Sequence, residues 1–593
     1  MRTGPESAPS AATTLARIPD WVWLVGFCVV FSAQVLWSVG QGSATFDEPS
    51  DLVSGYVELT EANYWLKPET LPLVKLVGAL PLLLLPVRRP ATDWRDTWNF
   101  YDQFLYGAND ADTLLMVARA AVLPLSLLLG GLVFLWTRRL FGRGAALFAL
   151  FLYAFEPNIV AHSSLVTTDL GIACFFFLTV YGLFRLTERA SASRLLVVVF
   201  AFALALVTKL SMAMLIPIMV LLGLITSLSR VEIPLRIGGP RGRTLSGRGR
   251  KLIALGLLLV VASLVAYGVI WATYQFGYRG AESVGPRRPP EWAGLAPAGT
   301  PLGRALGWLR QTKALPEPYI YNFFYHLRTS GLFPAFLCGE IRQGGWWYFF
   351  VVTLLVKTPL ALLVLLGLAL AVHGKQWRKA TLATAFLLVS AGAYFVFISA
   401  SGFNIGHRHV LAVLPFLMVL AGALIPWASQ QHAWVKGGLV ALSLWYLGSS
   451  LSVFPHYLAY FNELAGGPSN GYRYLVDSNL DWGQDLKGLK RYMDQHGIER
   501  VWLSYFGMAS PDYYGMVYDP LPGSTIVGRQ HVRPDLLGLE QLPRLPGTVA
   551  ISATNLQGVY LPLLGVNREY FAGYRNARPV ARIGYSIFVY RFD

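Results

Sequence analysis

Apolar residues run for membrane-crossing lengths at about 21–39, 114–137, 144–157, 170–184, 195–207, 210–228, 252–274, 346–372, 380–400, 410–426 and 434–454. A helix needs roughly 20 mainly apolar residues to cross a bilayer. The pattern therefore predicts a polytopic α-helical membrane protein of about 11 spans. The connection 40–113 is rich in Trp and Tyr and holds a further apolar run, Leu71–Pro86, broken by Lys75 and three prolines. Such a run is expected to lie in the interface instead of crossing it. The connection 275–345 opens with a Pro/Gly/Arg segment, Gly285–Pro301, and becomes aromatic from Tyr319 to Tyr325. That suits either the headgroup belt or a loop over a lipid-substrate site. Beyond Phe454 hydropathy falls, with a helical period over Gln484–His496 and strand-like runs at Val501–Phe506, Thr548–Thr554 and Ser586–Phe592. Residues 455–593 are thus read as a small α/β domain after a transmembrane domain over 21–454. No repeat and no paired interrupted spans are visible, which counts against an inverted-repeat transporter.

Composition sharpens this picture. The chain is 54% hydrophobic and only 14% charged, with a mean hydropathy of +0.46, outside the soluble globular class. Its net charge of +16 is explained by topology. With the tail 1–20 cytoplasmic, Arg138, Arg139, Arg143, Arg185, Arg189, Arg194, Lys375, Arg378 and Lys379 all fall on the inside, and Arg230–Lys251 adds seven basic residues there. A nucleic-acid partner is not expected, because 229–251 reads as a Gly/Arg-rich loop and not as a folded basic face. An odd number of spans places 40–113, 275–345 and 455–593 on the extracytoplasmic side of the plasma (inner) membrane. Cys28, Cys174 and Cys338 are too few and too scattered for a disulfide framework or metal cluster and are read as packed free thiols. The first span lacks a small-residue cleavage site and reads as a retained helix.

Charge is costly in such a chain, so the charges at span ends carry the chemistry. Phe46-Asp47-Glu48-Pro49 follows the first span, and Asp169 closes Thr167-Thr168-Asp169 before the fourth, after His162. Two carboxylates on one membrane face suit activation of a hydroxyl and orientation of an acceptor or metal; helix capping is the ordinary alternative. Lys67, Glu69 and Lys75 border the interfacial run, where snorkelling charge is expected. His407, Arg408 and His409 gather at the outer rim, where an Arg fork suits phosphate and an anionic headgroup is the alternative. Lys357 lies inside the eighth span beside Pro359 and should face the bundle or a polar cavity. Asp477, Asp481 and Asp485 have the spacing of a calcium loop, but Trp482 and Gly488 stand where its glycine and terminal Glu are needed. An Asp N-cap near Gly483 is the more ordinary role. No Walker loop or dinucleotide fingerprint occurs.

Taken together, FDEP at 46–49, KPETLPLVKLVGALPLL at 67–83, HSSLVTTD at 162–169 and GHRHVLAVLP at 406–415 resemble the GT-C superfamily of polyprenyl-phosphate-sugar glycosyltransferases. The likeness covers about 20–455 and is greatest to the protein O-mannosyltransferase and lipid A aminoarabinose transferase branch. It implies that Asp47 is the catalytic base, Glu48 an acceptor-orienting partner and Asp169 the second acidic position. Glu69 would line the donor site, with Lys67, His407, Arg408, His409 and Lys357 as candidate donor or phosphate ligands. Thr70 and Leu71 stand where related sequences have a basic residue and proline, a departure from the family pattern at its usual phosphate contact. The C-terminal YFNELAGGP (460–468) and DSNLDWGQDL (477–486) look like an appendage found with some bacterial members. The implied partners are a polyprenyl-phosphate sugar, membrane lipid and an unidentified protein, lipid or glycan acceptor. No cofactor is required, and a divalent metal is compatible. A lipid-linked-sugar transporter or flippase and a cell-envelope assembly scaffold are the alternatives from other classes.

Overall fold

A computed structural model describes residues 18–592 apart from 237–243, 285–291, 298, 376–380, 524–531 and 533. The tail before Ile18, the middle of the basic loop, Arg378 and Lys379, and the start of the Pro/Gly/Arg segment lie outside the described residues. All eleven apolar stretches are helical. Among the described residues, seven helices are long and apolar enough to cross a membrane, and the pair Phe349–Lys357 and Leu360–Val372, bent by 113°, reaches that length and hydropathy only when its two helices are taken together. The break falls at Thr358-Pro359, where proline removes a helical donor and clashes with the preceding turn. Arg143–Ala154, Ala192–Thr208 and Ala433–Leu451 occupy the remaining stretches.

Ion pairs mark one face of the bundle. Asp20, in the first turn of Asp20–Gln41, pairs with Arg138 and, at 3.0 Å, with Arg143; Glu188 pairs with Arg139 and Arg185. Asp169 begins the helix that carries Arg185 near its other end, about 24 Å away at 1.5 Å per residue. The acidic positions therefore lie at the face opposite the arginines.

On that opposite face the connection 40–113 is itself helical. Glu48–Glu61 opens with proline in its first turn, where a missing N–H costs nothing. It packs on Pro72–Ala79 so closely that a Cβ on Gly55 would lie 2.4 Å from the Lys75 carbonyl oxygen. Buried Lys75 pairs with Glu58 at 2.5 Å and Lys67 with Asp51 at 2.8 Å. Lys75 is thus locked between two helices, in contrast to the snorkelling expected of it. The exposed Leu80, Leu83 and Leu84 at the end of the run fit an interfacial position.

The chain beyond Pro455 carries a five-stranded mixed sheet. Strand Val501–Ser504 pairs in parallel with Tyr518–Pro520 and Gly547–Ser552. Gly547–Ser552 pairs antiparallel with Ile587–Phe592, which pairs with Ala581–Ile583. The three predicted strands and the helix Leu486–Gln495 are present; Tyr518–Pro520 and Ala581–Ile583 are too short to show a period. The acidic trio diverges. Asp477 accepts from Tyr560 at 2.5 Å, Asp481 from the Thr554 N–H at 2.8 Å, and Asp485 from Ser586 at 2.7 Å. Asp485 sits at the N-cap of Leu486–Gln495 but makes no side-chain capping bond, because Ser586 and His456 hold its carboxylate. Cys28 and Cys174 are half-buried and buried, whereas Cys338 is exposed at a hairpin turn and departs from the packed thiol expected.

Candidate active site

Where the first span ends, the backbone turns at Asp47 into helix Glu48–Glu61. The Asp47 carbonyl accepts the helical N–H of Asp51 at 3.0 Å, and its side chain makes no capping bond. The carboxylate reaches across the bundle instead, to Arg408 Nη1 at 3.2 Å. Asp169, in the first turn of Thr168–Glu188, is likewise not the cap, a position held by Thr167. Its carboxylate lies 3.0 Å from Lys209 Nζ and 3.5 Å from the same Arg408 Nη1. Lys209 stands in the break between Ala192–Thr208 and Leu210–Met214, with its ammonium also 3.2 Å from His409 Nδ1.

Asp47, Lys209, Arg408 and His409 line a cavity of about 120 Å³ that also takes in Asp51, Glu69 and His326; Asp169 touches it only through Lys209 and Arg408. The roof is helix Glu317–Thr329, the aromatic segment of the second long connection. Asn322 donates to the Pro68 carbonyl at 3.1 Å. Burial lowers His326, so its imidazole is neutral and Nε2 donates to the Glu69 carbonyl at 2.8 Å. Thr167 Oγ1, Asn322 Oδ1, Arg408 Nε and His409 Nε2 are buried at this cavity without a protein partner among the described residues. Buried polar atoms are almost always paired, so the residues of this cavity carry donors and acceptors that the described protein groups leave unused.

The two carboxylates are not equivalent. Asp169 is fully buried between two cations, while the Asp47 side chain is 32% exposed with a single long contact. Asp169 is held by Lys209 and Arg408, whereas Asp47 is the carboxylate left open to the cavity.

Of the residues read from the sequence, Asp47, Glu69, Asp169, Arg408 and His409 meet here. Glu48 does not. It is fully buried, bridged to Arg119 at 2.6 and 2.8 Å and accepting from Thr45. Burial alone would raise its carboxyl, but the Arg119 guanidinium outweighs that and holds it below the ordinary range. Lys67 faces the cavity floor through Asp51, whose carboxyl burial pushes up against the pull of that ammonium. His407 is not among the cavity's lining residues; its backbone N–H donates to Asn479 Oδ1 at 2.7 Å. Lys357 is also elsewhere, bonded to the Leu458 and Asn479 carbonyls at 2.9 and 2.6 Å. Lys209, Arg119, Asn322 and His326 were not singled out by sequence. A cation between two apolar stretches (Lys209) and one inside a span (Arg119) are the signals that mark the first two.

Residues 112–237, which include Asp169 and Lys209, match the family model described as dolichyl-phosphate-mannose-protein mannosyltransferase. The sequence resemblance thus has a family-level counterpart over that segment. Among solved structures, the apo crystal structure of ArnT from Cupriavidus metallidurans is similar at 14% identity and a TM-score of 0.48, with 98% of each chain covered. The same protein bound to undecaprenyl phosphate is similar at 15% identity and a TM-score of 0.44, covering 96% of this chain and 97% of that one. The apo oligosaccharyltransferase of Archaeoglobus fulgidus is similar at 12% identity and a TM-score of 0.44, covering 92% of this chain and 72% of that one. No match is found among curated proteins.

Proposed function

We propose that this chain is an inverting membrane glycosyltransferase that moves a sugar from polyprenyl phosphate to an acceptor on the extracytoplasmic face of the inner membrane. In this reading the N-terminus is cytoplasmic and the part beyond 454 extracytoplasmic. The observation that carries the proposal is the sharing of Arg408 between two carboxylates of unequal exposure, Asp47 and Asp169.

An acceptor hydroxyl or amine enters beside Asp47 and attacks the anomeric carbon. As the new bond forms, the bond from that carbon to the phosphate oxygen breaks and polyprenyl phosphate leaves with the electron pair. Asp47 takes the acceptor's proton, a contribution of about 10²–10⁴-fold for a well-placed general base. Arg408 and Lys209 stabilise the charge developing on the phosphate, and the unpaired Arg408 Nε and His409 Nε2 supply further contacts. Lys67 is committed to Asp51 and Thr70 carries no charge, so the phosphate depends on this cluster. The displacement requires no cofactor, because a monophosphate leaving group needs less neutralisation than a pyrophosphate, and it is compatible with a divalent metal.

The protein, reconstituted with labelled polyprenyl-phosphate hexoses and pentoses and a cell-envelope extract, should transfer sugar from one donor. The product should have the anomeric configuration opposite to the donor's by NMR; a retained configuration would contradict single displacement.

A further inference from the structure

The motif Asp477–Leu486 takes no part in the reaction above, yet it grips both loops of the site. The Asn479 side-chain carbonyl accepts from the His407 N–H at 2.7 Å, and its amide nitrogen donates to the Ile405 carbonyl at 3.0 Å. Gly406, between those two residues, lies so close that a Cβ would come within 2.3 Å of the Ser478 hydroxyl. Three residues further along the motif, the buried Trp482 ring faces the Arg408 guanidinium, whose carbon lies 4.3 Å from the ring centroid. An indole face attracts a cation at this range more strongly than other aromatic rings do.

The backbone of the same turn holds the other loop. The Trp482 carbonyl accepts from the Phe46 N–H at 2.7 Å, and the Gln484 carbonyl accepts from the Ser43 N–H at 2.8 Å. Phe46 immediately precedes Asp47. Gly483 makes the turn at φ +88, where a Cβ would lie 2.7 Å from Gly507 Cα.

Both carboxylate contacts of Arg408 go through one nitrogen, at 3.2 and 3.5 Å. Single-point contacts leave the guanidinium plane free to rotate; a ring stacked on it does not. We propose that the motif is an active-site clip, with Asn479 and Trp482 as positioning residues that hold Arg408 against Asp47. The part beyond Pro455 then completes the active site and is no detachable module. This inference rests on the glycosyltransferase reading for its catalytic consequence, and on the contacts of the motif with the two loops for the clip itself.

The test uses the full chain in lipid nanodiscs with Asn479→Ala, Trp482→Leu, Trp482→Phe, Arg408→Lys and the double variant Trp482→Leu/Arg408→Lys. Amide exchange of the peptides spanning 42–50 and 403–410 is read by mass spectrometry, and transfer is resolved into kcat and donor KM. Asn479→Ala and Trp482→Leu should speed exchange in 403–410 and lower kcat about 10–100-fold, as expected for misplacement of about 1 Å, with donor KM little changed. Trp482→Phe, which keeps a ring face, should recover most of kcat. The double variant should be no slower than Arg408→Lys alone, because both act through one group. Unchanged exchange, or multiplicative loss in the double variant, would overturn the clip. If Trp482→Leu fails to fold, Asn479→Ala and Trp482→Phe carry the same decision. Faster exchange with no transfer by wild type would sink the glycosyltransferase reading and leave the clip; wild-type transfer with unchanged exchange would sink only the clip.

Discussion

Asp47 and Glu48 are neighbours in sequence with opposite fates, and the difference lies in which partner each side chain can reach. Glu48 points into the protein and meets Arg119, which also donates to the Val39 and Ser43 carbonyls at 2.9 and 3.0 Å. That buried pair fixes the end of the first span, so that Asp47 is presented to Arg408. Removing one member of a buried pair leaves the other uncompensated, at about 3–5 kcal/mol. Glu48→Gln should therefore destabilise the protein by that order in denaturant unfolding; a neutral effect would show that Arg119 finds other acceptors. Burial pushes the Asp481 carboxyl from 3.8 up to about 8, so the folded state holds this proton more tightly than the unfolded chain does. Its contribution to stability is present at low pH and is lost as pH rises through about 8. Asp481→Asn mimics the protonated acid. Its melting temperature should gain on wild type steadily from pH 5 to about pH 8 and then level off, whereas a pH-independent difference would mean that the carboxyl is already ionised.

At the scale of elements, the site is a meeting of helix ends. The turn before Glu48–Glu61 brings Asp47, the start of Thr168–Glu188 brings Asp169, the break at 208–210 brings Lys209, and the segment before Leu414–Ala421 brings Arg408 and His409. The floor depends on the close approach of Glu48–Glu61 to Pro72–Ala79. Gly55→Ala forces a methyl against the Lys75 carbonyl and should cost about 1–3 kcal/mol, the usual range for overpacking, with weaker donor binding as Asp51 and Glu69 shift in the cavity wall. Stability equal to wild type would show that the two helices can part without consequence. The apolar periodicity made the spans legible, and scarcity of charge made Asp47, Asp169, Arg408 and His409 legible, because a charge at a span end has few structural reasons to exist. Glu48 and Lys357 were misleading for one shared reason. A buried charge signals that a partner exists without saying whether it is a ligand or, as here, Arg119 and two backbone carbonyls. Asn322 and His326 were hidden in a long connection, where no period marks the helix that carries them over the cavity.

At the scale of the whole molecule, arginines gather at one face and the cavity opens at the other, with the C-terminal sheet packed on the cavity side. Tyr513 and Tyr514 reach Asp110 and Asp112 at 2.8 and 3.1 Å, and Lys487 pairs with Asp112 at 2.8 Å, so that part braces the bundle as well as the site. The proposed orientation places the exposed Cys338 outside the cytoplasm. A membrane-impermeant maleimide should label it in intact spheroplasts, and labelling only after lysis would invert the topology. If Asp47 takes the acceptor's proton, single-turnover transfer by Asp47→Asn, run beside donor binding, should be slowed by about 10²–10⁴-fold with donor bound as in wild type; transfer at the wild-type rate would mean that another group is the base.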